Sequence, residues 1–278
     1  MLIDTHCHLD AAEFDSDRDE VIKRARQAGV GAVVIPSVAR DNFDTVRDLA
    51  QTFAGGTYAL GIHPMAVPTA RDEDLLILAE RIEAARDDPR FVAIGEIGLD
   101  FYVPGLCTPA MRERQERFYS AQLDLAQRFG LPVLLHVRRS QDVLLKHLRR
   151  RPPIGGIAHA FNGSFQQAGQ FIGLGFALGM GGAMTFERAL QIRRLAAQLP
   201  LESLVLETDA PDIPPAWLGQ GRQADDPRPR NEPAEVAGVA RSLADLRETS
   251  LPDVIAACAE TAYRVLPRLA RGLGVPTR

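Results

Sequence analysis

Leu2-Ile3-Asp4-Thr5-His6-Cys7-His8 joins a short apolar run to two histidines one residue apart. On a strand successive side chains alternate faces, so His6 and His8 point one way and Cys7 the other. Two imidazoles at one strand end form a two-toothed clamp for a divalent ion, or else two half-buried polar residues closing a strand. What decides between these readings is whether the pattern, an apolar run ending on a polar residue, recurs.

It recurs throughout. Apolar runs with strand character lie at 2–5, 32–36, 58–62, 91–97, 132–137, 156–160, 176–180 and 204–208, and segments with helical spacing lie at 21–28, 75–85, 109–129, 143–150, 166–172 and 189–199. Thr108 followed by Pro109 marks a helix start, and Gly29 and Gly130 mark helix ends. Near-continuous apolar strands alternating with amphipathic helices predict a parallel sheet covered by helices. Eight such units predict an α/β fold, the (β/α)8 TIM barrel, as one domain over 1–278. After the eighth strand, residues 210–231 are rich in proline, carry Trp217 and lack usable periodicity, so they read as a long irregular loop on the functional end of the barrel.

The composition is that of an ordinary globular chain, 278 residues with 46% hydrophobic side chains and a formal net charge of −4. No global positive field draws it to nucleic acid or an anionic membrane, so a polyanionic substrate has to be held locally, by metal ions and a few arginines. Cys7, Cys107 and Cys258 are odd in number and widely spaced, which argues against a disulfide framework. With no charged leader ahead of the first strand and no membrane-length apolar stretch, the expectation is a cytoplasmic protein. We expect a monomer or weak oligomer, with no obligate protein partner and no membrane association.

Five of the six histidines fall at or just past the C-terminal end of a predicted strand: His6, His8, His63, His136 and His159; only His147 sits in a helix. Glu96 and Asp209 obey the same rule. In a barrel these ends converge on one rim, where such folds keep their active sites. Gathering these groups without a cation would cost about 1–3 kcal/mol for each unsatisfied one. Six ligands, His6, His8, Glu96, His136, His159 and Asp209, exceed what one catalytic ion with an open position needs. They predict two divalent ions bridged by Glu96, with His6, His8 and Asp209 on one and His136 and His159 on the other. Ligand softness favours Zn, Mn, Co or Ni over Mg, but metal availability overrides such preferences and the sequence does not choose among the five.

Several motifs, in this order, resemble those of the TatD family of metal-dependent deoxyribonucleases, within the amidohydrolase-like barrels. They are Asp4-Thr5-His6-Cys7-His8, Gly61-Ile62-His63-Pro64, Gly95-Glu96-Ile97-Gly98-Leu99-Asp100, Leu131-Pro132-Val133 with His136, and His159-Ala160-Phe161-Asn162-Gly163-Ser164. Glu207-Thr208-Asp209-Ala210-Pro211 and Arg230-Asn231-Glu232-Pro233 complete the set. The resemblance spans nearly the whole chain. It implies a (β/α)8 barrel, a one- or two-metal site at the positions above, and hydrolysis of phosphodiesters that trims DNA from a 3′ end. The chain departs from the family's common pattern at Met65 and at Asp212-Ile213, which bears on substrate preference.

The expected chemistry is attack by a metal-activated water, with Asp209 as general base or as a ligand only, and Glu96 as the bridge. His63 either donates a proton to substrate or orients Glu96. Arg138 is the expected phosphate clamp, and Arg139 reads as solvated. Asn162 and Ser164 open a helix and suit either an anion or a simple cap. Trp217, Arg222, Arg228 and Arg230 suit either a single-stranded DNA end or packing of the final loop. Arg149-Arg150-Arg151 closes a helix and reads as structural, and Glu207 and Asp100 take supporting or packing roles. The competing reading keeps the metals but changes the substrate to a small ester, lactone, amide or phosphomonoester, or to an aminoacyl ester on tRNA. A binding module with a decayed site conflicts with all six ligand positions being filled.

Overall fold

The apolar runs form parallel strands, and the polar residues that end them collect on one rim. The structure, a computed structural model, describes residues 1–221, 226 and 228–274; Arg222 lies outside the described residues. The strands are β1 (Leu2–Asp4), β2 (Val30–Pro36), β3 (Gly56–Leu60), β4 (Phe91–Asp100), β5 (Val133–Arg138), β6 (Gly156–Ala158), β7 (Phe176–Met180) and β8 (Leu204–Leu206). They pair in sequence order, each parallel to the next, as a (β/α)8 TIM barrel. Around them run α1 (Arg18–Gln27), α2 (Phe43–Gln51), α3 (Asp72–Ala84), α4 (Pro109–Phe129), α5 (Gln141–Arg150), α6 (Phe165–Gly173), α7 (Leu190–Gln198), α8 (Val236–Arg247), α9 (Leu251–Val265) and α10 (Pro267–Gly272). Among the described residues no helix is long and apolar enough to cross a membrane.

Strand alternation sorts the core into two layers. Ile3, Val34, Ala59, Ala93, Leu134, Ile157, Ala177 and Val205, one from each strand, form an inner cluster continuous with Ala262, Leu266 and Leu269. The small inner residues leave a narrow barrel whose floor is sealed by α9 and α10. The larger cluster fills the space between strands and outer helices. The expected helix boundaries hold within a few residues, Thr108 caps α4 by accepting from Met111 N, and Gly130 takes the left-handed conformation that ends it.

The spacing names no helix at 43–51 and none beyond 231, where α2 and α8–α10 lie. In α2 the buried Phe43, Val46 and Ala50 recur at helical spacing, so its pattern stands in the sequence although the expected helices omit it. The strand reading at 156–160 and 204–208 runs too far. β6 and β8 are three residues each, and the chain turns at Ala160 and Asp209, both with positive φ.

The seam between β8 and β1 closes through a few bonds. Thr5 N donates to Leu206 O at 3.0 Å, and Asp209 N donates to His6 O at 2.8 Å. Asp4, fully buried, accepts from Thr208 N at 2.9 Å, from Thr208 Oγ1 at 2.6 Å and from His6 N at 3.3 Å. Burial pushes its carboxyl up to about 7, and these bonds work against that rise. Thr208→Val strands one oxygen of Asp4 and is expected to lower stability by about 1–3 kcal/mol, while Thr208→Ser keeps the donor. Urea titration of both variants checks this: a Val variant as stable as wild type would remove the seam role.

Candidate active site

His6 and His8 leave the end of β1, Glu96 lies within β4, His136 within β5, and His63, His159 and Asp209 follow β3, β6 and β8. Gly98, at φ 145°, lets β4 and β5 approach: a Cβ there would lie 2.2 Å from His136 O. Two buried glutamines of α4, one helical face apart, brace the rim from outside. Gln122 accepts from Ile62 N at 2.7 Å beside His63, and Gln115 accepts from Asp100 N at 2.8 Å. Their spacing of seven was in the sequence, but nothing marked them as struts.

Glu96 is the hub. Its Oε2 lies 3.1 Å from His6 Nε2 and 3.4 Å from His8 Nε2. Its Oε1 lies 3.1 Å from His136 Nδ1 and 3.5 Å from His63 Nε2. Asp209 Oδ1 faces His159 Nε2 at 3.4 Å and the Nε2 atoms of His6 and His8 at 3.7 Å. The rings of His6 and His159 stack at 3.7 Å. His6 and Glu96 are deeply buried, whereas His8, His136 and Asp209 keep 15–19% of their side chains exposed, so the cluster opens on that side.

The expected six residues therefore converge, but their grouping differs from expectation. His159 stands beside Asp209 and His6, on the Oε2 side of Glu96, and not with His136. The physical cause is the seam: β8 abuts β1 as well as β7, so Asp209 lies between His159 and the two histidines of β1. His63 comes within ligand distance of Glu96 and His136, yet its Nδ1 accepts from Met65 N at 3.1 Å. The neutral ring then carries its proton on Nε2, which makes His63 a donor on the side facing Glu96.

These residues fit divalent ions. Nitrogen faces nitrogen at 3.3 Å between His6 and His8, and His6 Nδ1 and His159 Nδ1 are buried without a hydrogen-bond partner; the latter lies 3.1 Å from Glu207 Oε1 but out of line. By contrast, His147 on the outer helices is satisfied on both nitrogens, by Ser120 at 2.9 Å and Glu116 at 2.8 Å. Supporting carboxylates complete the rim pairs. Asp100 Oδ2 takes His136 Nε2 at 3.1 Å, leaving Nδ1 for the cluster, and Glu207 backs His159 while accepting from Ala160 N.

Protonation follows the same map. Burial lowers the pKa of His6, helped by His159, and also lowers that of His63. Burial opposes protonation of His8, but Glu96 and Asp209 win and push it up to about 9; Asp100 and Glu96 raise His136 in the same way, and Glu207 and Asp209 raise His159. Burial alone would raise Asp209 and Glu96, but the imidazoles hold Asp209 to about 2 and Glu96 well below the usual range. The carboxylates thus favour the cationic form of His8, His136 and His159, while burial favours the neutral form of His6 and His63.

The candidate substrate contacts divide. Arg138 sits at the rim, 3.8 Å from Asp100. Asn162 is exposed, and Ser164 Oγ accepts from Gln167 N in a capping box, the simpler of its two expected roles. Trp217 and Arg230 turn elsewhere, contrary to a substrate role. Trp217 Nε1 donates to Glu235 Oε2 at 2.6 Å and its ring packs on Gly238; Arg230 makes two bonds to Asp17, at 2.7 and 2.8 Å. Both fasten the final loop, which Asn231 Nδ2 also pins by donating to Thr208 O and Asp212 O at 2.9 Å. Arg228 reaches Asp212 at 3.6 Å, and Arg151 of the basic run pairs with Asp124 at 2.7 Å.

A parallel barrel with imidazoles and carboxylates gathered on its C-terminal rim defines the class of barrel metal-dependent hydrolases. The family described as "TatD related DNase" matches residues 3–267. The "uncharacterized metal-dependent hydrolase YjjV" of Escherichia coli K12 is 40% identical over 262 residues, 94% of this chain and 96% of that protein. Its crystal structure superposes with a TM-score of 0.86 at 39% identity, covering 96% and 98% of the two chains. A Cronobacter turicensis protein named "3'-5' ssDNA/RNA exonuclease TatD" is 36% identical over 240 residues, 84% of this chain and 85% of that one. The chain belongs to the TatD family, metal-dependent hydrolases that act on ester bonds.

Metal uptake is expected to displace protons. Apparent affinity for Zn or Mn should rise from pH 6 toward the His8 value of about 9. In the metal-free protein the raised His8 pKa stabilises the fold below its unfolded value of about 6.5, and this is lost as pH rises through about 9. Calorimetry in buffers of different ionisation enthalpy measures the release; buffer-independent heats would contradict it. Asp100→Asn is expected to weaken metal binding about 10–100-fold by releasing His136, read in the same titration.

Proposed function

We propose that this protein removes nucleotides from the 3′ end of single-stranded DNA by hydrolysing phosphodiester bonds, using two divalent ions. The observation that carries the reading is Glu96, whose two oxygens each face two imidazoles. One carboxylate so placed suits a bridge between two cations. His6, His8, His159 and Asp209 would hold one ion on the Oε2 side, and His136 would hold the other with Oε1. The relative named as a 3′-5′ ssDNA/RNA exonuclease supports the substrate class.

Bound there, divalent ions supply Lewis acidity toward a phosphoryl oxygen and acidify a water at neutral pH. Asp209, ionised and on the open side of the cluster, takes the proton of the attacking water. His63, neutral through burial and with its proton on Nε2, donates a hydrogen bond to the phosphate oxygen that gains charge. Glu207 and Asp100 keep His159 and His136 oriented, so the ligand nitrogens need no rearrangement when substrate arrives.

The test is end-labelled single-stranded DNA with and without chelator. Loss of a 3′ label ahead of a 5′ label, abolished by chelator and restored by metal, is expected. Intact DNA alongside turnover of ester, lactone or phosphomonoester panels would replace the substrate and keep the metal site. Asp209→Asn should lower kcat by at least about 100-fold with an unchanged circular dichroism spectrum; retention of more than roughly a tenth would remove the base role.

A further inference from the structure

We propose that Tyr102, Arg138 and Arg139 form a ledge beside the metal centre that takes one nucleotide of a single strand, the guanidiniums on its phosphate and the exposed ring on its base. The inference rests on the nucleic-acid reading above. Tyr102 lies two residues past the end of β4 and is 47% exposed. The guanidinium carbons of Arg138 and Arg139 lie 4.0 and 4.6 Å from its ring centroid.

Consecutive residues of an extended strand point to opposite faces, so two neighbouring arginines do not ordinarily share one ring. Arg139 achieves it with φ 55°, a left-handed conformation that a side-chain-bearing residue adopts at a cost. The turn carries the chain from β5 to buried Ser140, whose Oγ donates to Leu99 O at 2.6 Å, and leaves both arginine side chains exposed. Among the described residues Asp100 is the carboxylate paired with Arg138, at 3.8 Å, and it also serves His136, Tyr102 N and Val103 N. Arg139 has no carboxylate within 4 Å among the described residues.

An acidic chain thus sets two guanidiniums, that of Arg139 without a carboxylate among the described residues, on an exposed aromatic ring one carboxylate away from His136. Cation–π contact holds guanidinium planes against a ring while their N–H edges stay free for phosphate oxygens. Exposed aromatic and guanidinium planes stack any base, which suits an enzyme that trims strands regardless of sequence.

The test uses the metal-loaded enzyme and oligodeoxythymidylate. Tyr102→Ala and Arg139→Asn are each expected to raise KM about tenfold while kcat at saturation changes far less; Tyr102→Phe, which keeps the ring, restores the wild-type KM. Arg139→Asn, tolerated in the left-handed conformation, should also reduce the slope of log KM against log salt by about 0.7. If Tyr102→Ala unfolds, Arg139→Asn carries the test, since it replaces an exposed side chain. Wild-type KM and salt slope in both variants, with DNA still trimmed, overturn the ledge and leave the function standing. No trimming by wild type with any metal overturns both.

Discussion

One carboxylate organises this molecule. Glu96 carries both oxygens to the middle of a histidine cluster, and four imidazoles close on it within 3.5 Å. Such a gathering of lone pairs and like charges resists burial unless a cation, or protons in its place, sits among them. In the metal-free chain the surrounding carboxylates favour protonation of His8, His136 and His159, and Asp100 sets which nitrogen of His136 faces inward. Around Glu96 the fold behaves as scaffolding. β4, the longest strand, carries it, and the other members of the cluster come from the C-terminal ends of neighbouring strands.

The scaffold must hold those ends in register although several strands are only three residues long. Side chains do what short ladders cannot. Asp4 and Thr208 fasten the seam beside His6 and Asp209, Gln122 and Gln115 reach from α4 to the loops after β3 and β4, and Asn231 gathers three carbonyls of the final loop. These polar struts sit where backbone leaves the sheet and its hydrogen-bonding groups would otherwise go unpaired. The proline-rich loop is held the same way, with Trp217 and Arg230 acting as its anchors. The side of the rim past β4 and β5 is tied in the same way, by Asp100 to Tyr102 N and Val103 N and by Ser140 to Leu99 O, and there the side chains of Tyr102, Arg138 and Arg139 stand exposed.

The barrel, its eight strands and the convergence of His6, His8, Glu96, His136, His159 and Asp209 were legible in the sequence because each depends on a one-dimensional pattern. An apolar run of strand length followed by a polar residue has only one rim to point at once the strands are parallel and closed. α2 was legible too, through Phe43, Val46 and Ala50 at helical spacing, although the expected helices omit it; the plug made by α9 and α10 was not, because it depends on a barrel floor that exists only after closure.

The sequence by itself therefore determined the architecture and the membership of the site, since period and order along the chain suffice for both. Tertiary structure alone decided how those members divide. His159 joined the Asp209 side because closing the barrel brings β8 against β1, a contact between residues some two hundred positions apart that no local pattern encodes. It also decided the fate of the arginines and the tryptophan. Whether such a side chain meets substrate or ties down a loop depends on which partner lies within reach. Arg230 found Asp17 and Trp217 found Glu235, while Arg139, turned by its own backbone onto Tyr102, found no carboxylate among the described residues.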